Sequence, residues 1–360
     1  MRIVIRADAS SRVGTGHVMR CLTLADLLRR QGCVVRFLMQ RLDGHLQELV
    51  TASGYDVTML EISEGASTWE DDAEASIQAI EEWHGRVEWC VVDHYGLDSR
   101  WEHKLRGFAE SIMVIDDLAD RSHDCDLLLD QNFVEQMESR YDGLVPDSCL
   151  QLLGPKHMLL RDEFIQAKPL AFRRRREGVR KVLLFFGGAD PTNETEKVIT
   201  AIKPFLNDGP VVDVVVGRTN PNRSTIEAMC AGHDRLHFHL QVSNMAEMMG
   251  SADFSFGAGG VTMWERCYLG LPSAVVIVAD NQAASVEAAA KLGAVWNLGR
   301  HEAVKIPDIA DIFYRAVIGR AELLEMSRIG MRLIDEHSPE DDRPGAEVVK
   351  VMLRHKGDSE

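Results

Sequence analysis

Short apolar runs of strand length alternate with segments of helical period from one end of the chain to the other. In the first half, runs at Arg2–Arg6, Val34–Met39, Asp56–Leu60, Trp89–Asp93, Ile112–Asp116 and Leu127–Leu129 predict strands. Helices are predicted over His17–Gln31, Asp43–Ser53, Glu70–Trp83, Asp98–Ala109 and Leu159–Ala167. The segment KPLAFRRRREGVRK then changes character: it is basic, contains Pro169, and is the expected linker. The pattern restarts at Lys181–Phe186. Strands are expected at Val211–Val216, Leu236–Leu240, Asp253–Phe256 and Ala274–Val278, with further helix from Pro307 to His355. Continuous strand–helix alternation predicts parallel sheets covered on both faces. The expected class is therefore α/β, with two Rossmann-like doubly wound domains facing a cleft, spanning residues 1–168 and 169–360. Ligands of such domains bind beyond the carboxyl ends of the strands.

Composition narrows the partners. At 360 residues, 45% hydrophobic and 27% charged, the chain is long enough for two globular cores. A net charge of −16 argues against nucleic acid or an anionic membrane as main partner, while leaving room for a small anion held locally. The longest apolar runs are far shorter than a transmembrane helix, and no signal-peptide hydrophobic region is visible. Seven scattered cysteines without a CxxC fit reduced thiols, so a cytoplasmic location is expected. No obligate protein partner is evident.

Residues 2–21, RIVIRADASSRVGTGHVMRC, concentrate candidate chemistry. A strand meets the glycine-punctuated loop Ala7–Gly16, and a helix opens at His17. Free N–H groups and the positive helix end suit an anion, and that dipole is expected to keep His17 a neutral base. Arg20, one turn on, would supply a cation on the same face, beside Asp8, Ser10 and Ser11. The plain alternative is a glycine-rich turn with an exposed histidine. Gly14-Thr15-Gly16 is half of a dinucleotide fingerprint, but Met19 occupies the third glycine position and Gln40 ends the second strand, so a nicotinamide site is disfavoured. Asp93-His94-Tyr95-Gly96 and Ile115–Asp120 also end strands, as functional edges or simple caps. Asp124-Cys125-Asp126 has the spacing of a metal-binding DxD, though surface acidity is preferred. Arg161 could reach a phosphate or carbonyl, or pair with an acid such as Asp162 on its own helix.

In the second half, Gly187-Gly188 follows a strand, and paired glycines admit a diphosphate close to backbone N–H groups. Gly257–Glu265 repeats the theme: Gly259, Gly260 and Thr262 suit phosphate oxygens, while Glu265 could accept from ribose hydroxyls. Ala279-Asp280-Asn281-Gln282 is a second loop of this kind. Together they point to a nucleoside diphosphate. His237 and His239 share a strand face without a third ligand nearby, so surface histidines are preferred over a metal. Met245–Met249 suits helix packing, and Arg173–Arg176 a solvated linker. No metal and no cofactor are expected.

RADASSRVGTGHVMRCLTLA, DHYGLDSRWE, IDDLADRSHDCDLLLDQN, LLGPKHMLLRDEF, FGGADPTN, GAGGVTMWERCYLGLPS and ADNQ follow one another in that order. In this order the chain resembles the UDP-2,4-diacetamido-2,4,6-trideoxy-β-L-altropyranose hydrolase family of pseudaminic acid biosynthesis. The resemblance implies a GT-B glycosyltransferase-like fold and metal-independent cleavage of the sugar C1–O bond by water, with inversion. It implies His17 as base, Tyr95 and Asn281 as further catalytic residues, and Arg161 and Glu265 at the substrate. Gly14, Gly16, Arg20, Gly187, Gly188, Gly259, Gly260, Thr262 and Gln282 complete the expected binding set, with a UDP-sugar as partner. The alternative is a GT-B glycosyltransferase moving the sugar to an acceptor; a UDP-sugar sensor without turnover is a third. The polar N-terminal loop and acidic chain favour water as acceptor.

Overall fold

The computed structural model describes residues 1–10, 14–62, 68–83, 85–174, 178–335 and 343–354, apart from the side chains of residues 170 and 172–174. Ser11 in the glycine loop, the side chains of the Arg173–Arg176 run and the expected helix end at His355 thus lie outside the described residues. The chain divides into two compact units.

The first unit carries β1 (Arg2–Ala7), α1 (Gly16–Arg30), β2 (Val34–Gln40), α2 (Gln47–Ala52), β3 (Asp56–Leu60), α3 (Trp69–Trp83), β4 (Val87–Asp93), α4 (Ser99–Leu105), β5 (Ala109–Ile115), β6 (Leu127–Asp130) and β7 (Leu150–Leu153). Its seven strands are parallel, in the order β3-β2-β1-β4-β5-β6-β7. Strand periodicity explains why these apolar runs form sheet. Ile3, Ile5, Trp89, Val91 and Met113 face one core with α1, whereas Val4, Cys90, Val92, Ile112 and Val114 face the other with α3 and α4.

The second unit begins with α5 (Asp162–Arg174) and continues through β8 (Lys181–Phe185), α6 (Glu194–Ile202), β9 (Val211–Val216), α7 (Arg223–Ala231), β10 (Leu236–Leu240), α8 (Met245–Ser251), β11 (Phe254–Ala258), α9 (Val261–Tyr268), β12 (Ser273–Ile277), α10 (Ala283–Leu292), β13 (Trp296–Arg300), α11 (Ile306–Ile318) and α12 (Arg320–Asp335). Its six parallel strands run β10-β9-β8-β11-β12-β13. The last helix, α13 (Ala346–Arg354), returns to the first unit. It buries Val348, Val349 and Met352, and Trp89 Nε1 donates to the Met352 carbonyl at 3.1 Å.

Two expectations differ from this architecture. The units part at Leu159/Leu160, not at 168/169, and residues 162–174 form one helix through Pro169. The reason is an apolar stripe: Phe164, Ala167 and Ala171 are buried at helical spacing, and α5 packs on α8 and α9. That packing outweighs the loss of one backbone hydrogen bond at the proline. Strands β7 and β13 are not predicted by the pattern because β7 has only four residues and β13, WNLGR, interrupts its apolar positions with Asn297, Gly299 and Arg300. Among the described residues no helix is long and apolar enough to cross a membrane, and all seven cysteines are free thiols and buried.

Met352→Ala should lower the stability of the first unit by about 2–5 kcal/mol, read as an earlier urea midpoint by tryptophan fluorescence. An unchanged midpoint would show that α13 is no part of this core.

Candidate functional site

The strand order of the first sheet reverses between β1 and β4, and the groups of interest gather at the carboxyl ends of those two strands. Asp93 is the last residue of β4, and His17 is the second of α1. His17 Nδ1 lies 2.5 Å from Asp93 Oδ1. Arg20, one turn along α1, grips the same carboxylate with Nε at 2.5 Å from Oδ2 and Nη2 at 2.6 Å from Oδ1. Its Nη1 lies 3.2 Å from Asp117 Oδ2. The Tyr95 ring stands edge-on to His17, centroids 4.5 Å apart at 81°, with its hydroxyl 3.4 Å from Asp117 Oδ2.

The charges explain one another. Burial pushes the Asp93 carboxyl up, but the charges and hydrogen bonds of Arg20 and His17 outweigh it and hold the group well below the usual carboxylate range. Burial and then Asp117 push the Tyr95 phenol up, so it stays a neutral donor. With Nδ1–H donated to Asp93, Nε2 is the ring nitrogen that can take a proton, and the carboxylate would hold the imidazolium so formed.

Arg20 is held on the same face as expected, with its guanidinium paired to Asp93 and Asp117. Gly14, at φ +86°, closes the loop on Ser10, and its N–H donates to the Ser10 carbonyl at 2.8 Å. Gly16 opens α1.

The site belongs to a row of buried aspartates along the sheet edge, each with an arginine. Asp8 follows β1 and pairs with Arg6 at 2.7 Å; Asp116 follows β5 and pairs with Arg121 at 2.9 Å; Asp130 ends β6 and pairs with Arg140 at 3.0 Å. His94 Nδ1 accepts from the Gly96 N–H at 3.0 Å, and burial, then Arg6, pushes this imidazole down to about 4. Sequence reasoning missed Asp93 as the partner of His17 and the role of Asp117. The one available signal was their place at strand ends.

The second sheet reverses between β8 and β11, and here the edge is made of glycine. Gly187 has φ +96°. A Cβ on Gly217 would lie 2.2 Å from the Gly188 carbonyl oxygen, and one on Gly259 2.2 Å from Val286 Cγ2, so bare backbone is required for these approaches. Asp190 caps α6, accepting from the Glu194 and Thr195 N–H groups at 3.0 Å each. By contrast, no side chain caps α9, whose N-cap is Gly260 and whose second residue is Thr262. The N-terminus of α9 is thus open to an anion, as is that of α10, which also has no side-chain cap.

Glu265, in α9, is buried, with Oε1 3.1 Å from Arg161 Nη2 and Oε2 lacking a hydrogen-bond partner. Burial raises its carboxyl, against the charge of Arg161. Arg161 pairs also with Glu163 at 2.5 Å, the salt-bridge alternative realised with a different acid. Gln282 braces the loops: its Oε1 accepts from the N–H groups of Gly259 and Val278 at 3.2 Å each, so the Gly259 N–H is already used. Asn281 lies half-buried in the turn Asp280–Gln282.

The residues of the two metal alternatives have other partners. Asp124 and Asp126 both pair with Arg106, and His239 lies 2.9 Å from Asp213. Among the described residues no group of three or more potential ligands could hold a metal ion.

Solved structures share this fold. MurG of Acinetobacter baumannii superposes with a TM-score of 0.69 over 98% of this chain and 99% of that one, at 13% identity. The chain has the GT-B fold. No protein-family model matches it. An uncharacterised protein of Methanocaldococcus jannaschii is 24% identical over 287 residues, which cover 78% of this chain and just over half, 56%, of that relative. The UDP-2,4-diacetamido-2,4,6-trideoxy-β-L-altropyranose hydrolase of Campylobacter jejuni is 26% identical over 255 residues, 70% of this chain and 83% of the relative. The resemblance carried by the motifs is thus present along most of the chain.

Asp93→Asn removes the closer of the two carboxylates that neutralise buried Arg20, leaving only Asp117 at 3.2 Å, and should destabilise the first unit by about 3–5 kcal/mol. Because Asp93 is held below its ordinary 3.8, its contribution is present above that pH and is lost as the pH falls below it. Urea midpoints measured from pH 6 to pH 2 should therefore decline less steeply at the acid end in the variant. Parallel curves would contradict this account.

Proposed function

We propose that the chain is a UDP-sugar hydrolase that releases UDP from UDP-2,4-diacetamido-2,4,6-trideoxy-β-L-altropyranose, serving pseudaminic acid biosynthesis in the cytoplasm. The observation that carries the reading is the buried Asp93–His17 pair at the strand-order reversal, 2.5 Å from Nδ1 to Oδ1. It is the geometry of an oriented general base. The motif resemblance and the 26% identity to the Campylobacter jejuni hydrolase support the choice of substrate.

In this reading the second unit holds UDP and the first activates water. Glu265 Oε2 accepts from the ribose hydroxyls, with Arg161 fixing the other carboxylate oxygen. The diphosphate lies over Gly187, Gly188 and Gly260, against the open end of α9 and the Thr262 hydroxyl. His17 Nε2 takes a proton from water as its oxygen attacks C1. The C1–O bond to the diphosphate breaks on the opposite face, its electron pair leaves with UDP, and the anomeric centre inverts. Tyr95 and Asn281 hold the sugar or the water, and the helix end meets the charge developing on the leaving group without a metal ion. Transfer of the sugar to an acceptor is the competing reading, since one fold hosts both reactions.

His17→Phe should reduce UDP release about 10²–10⁴-fold while UDP binds within twofold of wild type. Glu265→Gln should instead weaken UDP binding, by about tenfold, the effect of losing a charge-assisted hydrogen bond worth ~1.5 kcal/mol. An NMR time course of wild type with the UDP-sugar and no acceptor should show the free sugar appear with inverted configuration. Retained turnover in the His17 variant sinks the base assignment, and acceptor-dependent UDP release means transfer.

A further inference from the structure

Arg266 is among the largest fully buried side chains of the protein, 1% exposed. The other arginines buried to this degree are neutralised: Arg6 by Asp8 and Asp72, Arg20 by Asp93 and Asp117. Arg266 is not. Its Nη2 donates to the Ala258 carbonyl at 2.7 Å, and its Nε and Nη1 have no hydrogen-bond partner. Among the described residues it forms no ion pair, and its sequence neighbour Glu265 turns to Arg161 instead. Burial pushes the guanidinium down to about 10, so it remains a cation at neutral pH. An unpaired cation in a dry interior is strongly unfavourable, and such a group calls for an explanation.

Its location supplies one. A Cβ on Gly257 would lie 2.3 Å from Arg266 Nη1 and 2.6 Å from the Phe185 carbonyl oxygen. The guanidinium is thus wedged against the ends of β8 and β11, the two strands that flank the reversal of the second sheet. Glycine at 257 makes the room. Ala258, which receives its hydrogen bond, immediately precedes Gly259 and Gly260, the turn that opens into the uncapped end of α9.

We propose that Arg266 is a positioning residue for the diphosphate: a buried cation beneath the glycine edge whose counter-charge is the bound nucleoside diphosphate. This rests on the nucleotide reading above. Within a low-dielectric interior the charge acts through space, adding to the field of the α9 N-terminus, and needs no direct contact with phosphate. Ligand binding then supplies the compensation that the fold omits, so the charge favours the complex over the empty protein. The arrangement selects diphosphate over uncharged nucleoside.

The test is calorimetric titration of the full chain with UDP and with uridine. Arg266→Gln keeps a donor for the Ala258 carbonyl and removes the charge; Arg266→Lys keeps a charge. The glutamine variant should bind UDP at least tenfold more weakly, bind uridine within twofold of wild type, and melt no earlier than wild type when ligand-free. The lysine variant should retain most of the UDP affinity. Should the glutamine variant not fold, Arg266→Met is measured in the same way. Equal loss of UDP and uridine affinity, or none, overturns the proposal and makes Arg266 a brace for the turn. So does failure of both uncharged variants to fold, because the proposal has the charge opposing the empty fold. A wild-type protein that binds neither UDP nor uridine overturns the nucleotide reading itself.

Discussion

One carboxylate organises the first unit: Asp93, fully buried between the guanidinium of Arg20 and the imidazole of His17. Its ionised form would be prohibitively costly to bury alone, and the two hydrogen-bonded partners reverse that balance. The same contacts tie the end of β4 to the first turn of α1, so the histidine ring is oriented by a core interaction and not by a surface loop. Along the sheet edge, Asp8, Asp116 and Asp130 repeat the device with Arg6, Arg121 and Arg140. The row is graded. Asp93 is firmly ionised, whereas burial raises Asp130 to about 6, where Tyr141 lies within hydrogen-bond distance of both Asp130 and Asp116.

The second unit solves its edge by the opposite means. Where the first sheet ends in paired side chains, the second ends in glycine, closely packed backbone, helix ends without side-chain caps and a cation left without a partner. The two reversals of strand order are topologically alike, yet one is internally neutralised and the other is electrostatically open. That asymmetry supports a division of labour in which the first unit handles protons and the second holds an anionic ligand.

Much of this was legible in the residue pattern, for definite reasons. Strands buried on both faces read as continuous apolar runs, so β1, β2, β4 and β9 were visible, and β3 and β10 were expected at the bounds observed. Glycine loops and strand-end acids announced where chemistry would gather. Strands β7 and β13 were not visible, although the half-exposed edge strands β3 and β10 were: β7 is only four residues long, and Asn297, Gly299 and Arg300 break up the apolar pattern of β13. The helical course of α5 through Pro169 was hidden too, since local signals there favour a break and only packing on α8 and α9 overrides them.

His17, Arg161 and Glu265 could be singled out from local context, because strand–loop–helix junctions and glycine turns are short-range features, and Tyr95 from the resemblance of its segment to a known family. Their partners could not. His17 and Asp93 are 76 residues apart, and Arg161 and Glu265 are 104 apart. Whether a charged side chain is neutralised, left open or capped depends on which strand ends the sheet order brings side by side. Residue order therefore established the α/β repetition and the candidate groups. Folding alone settled that Arg20 is spent on Asp93, that Gln282 braces Gly259, and that Arg266 is buried unpaired, because burial and strand adjacency set the charge balance of each group.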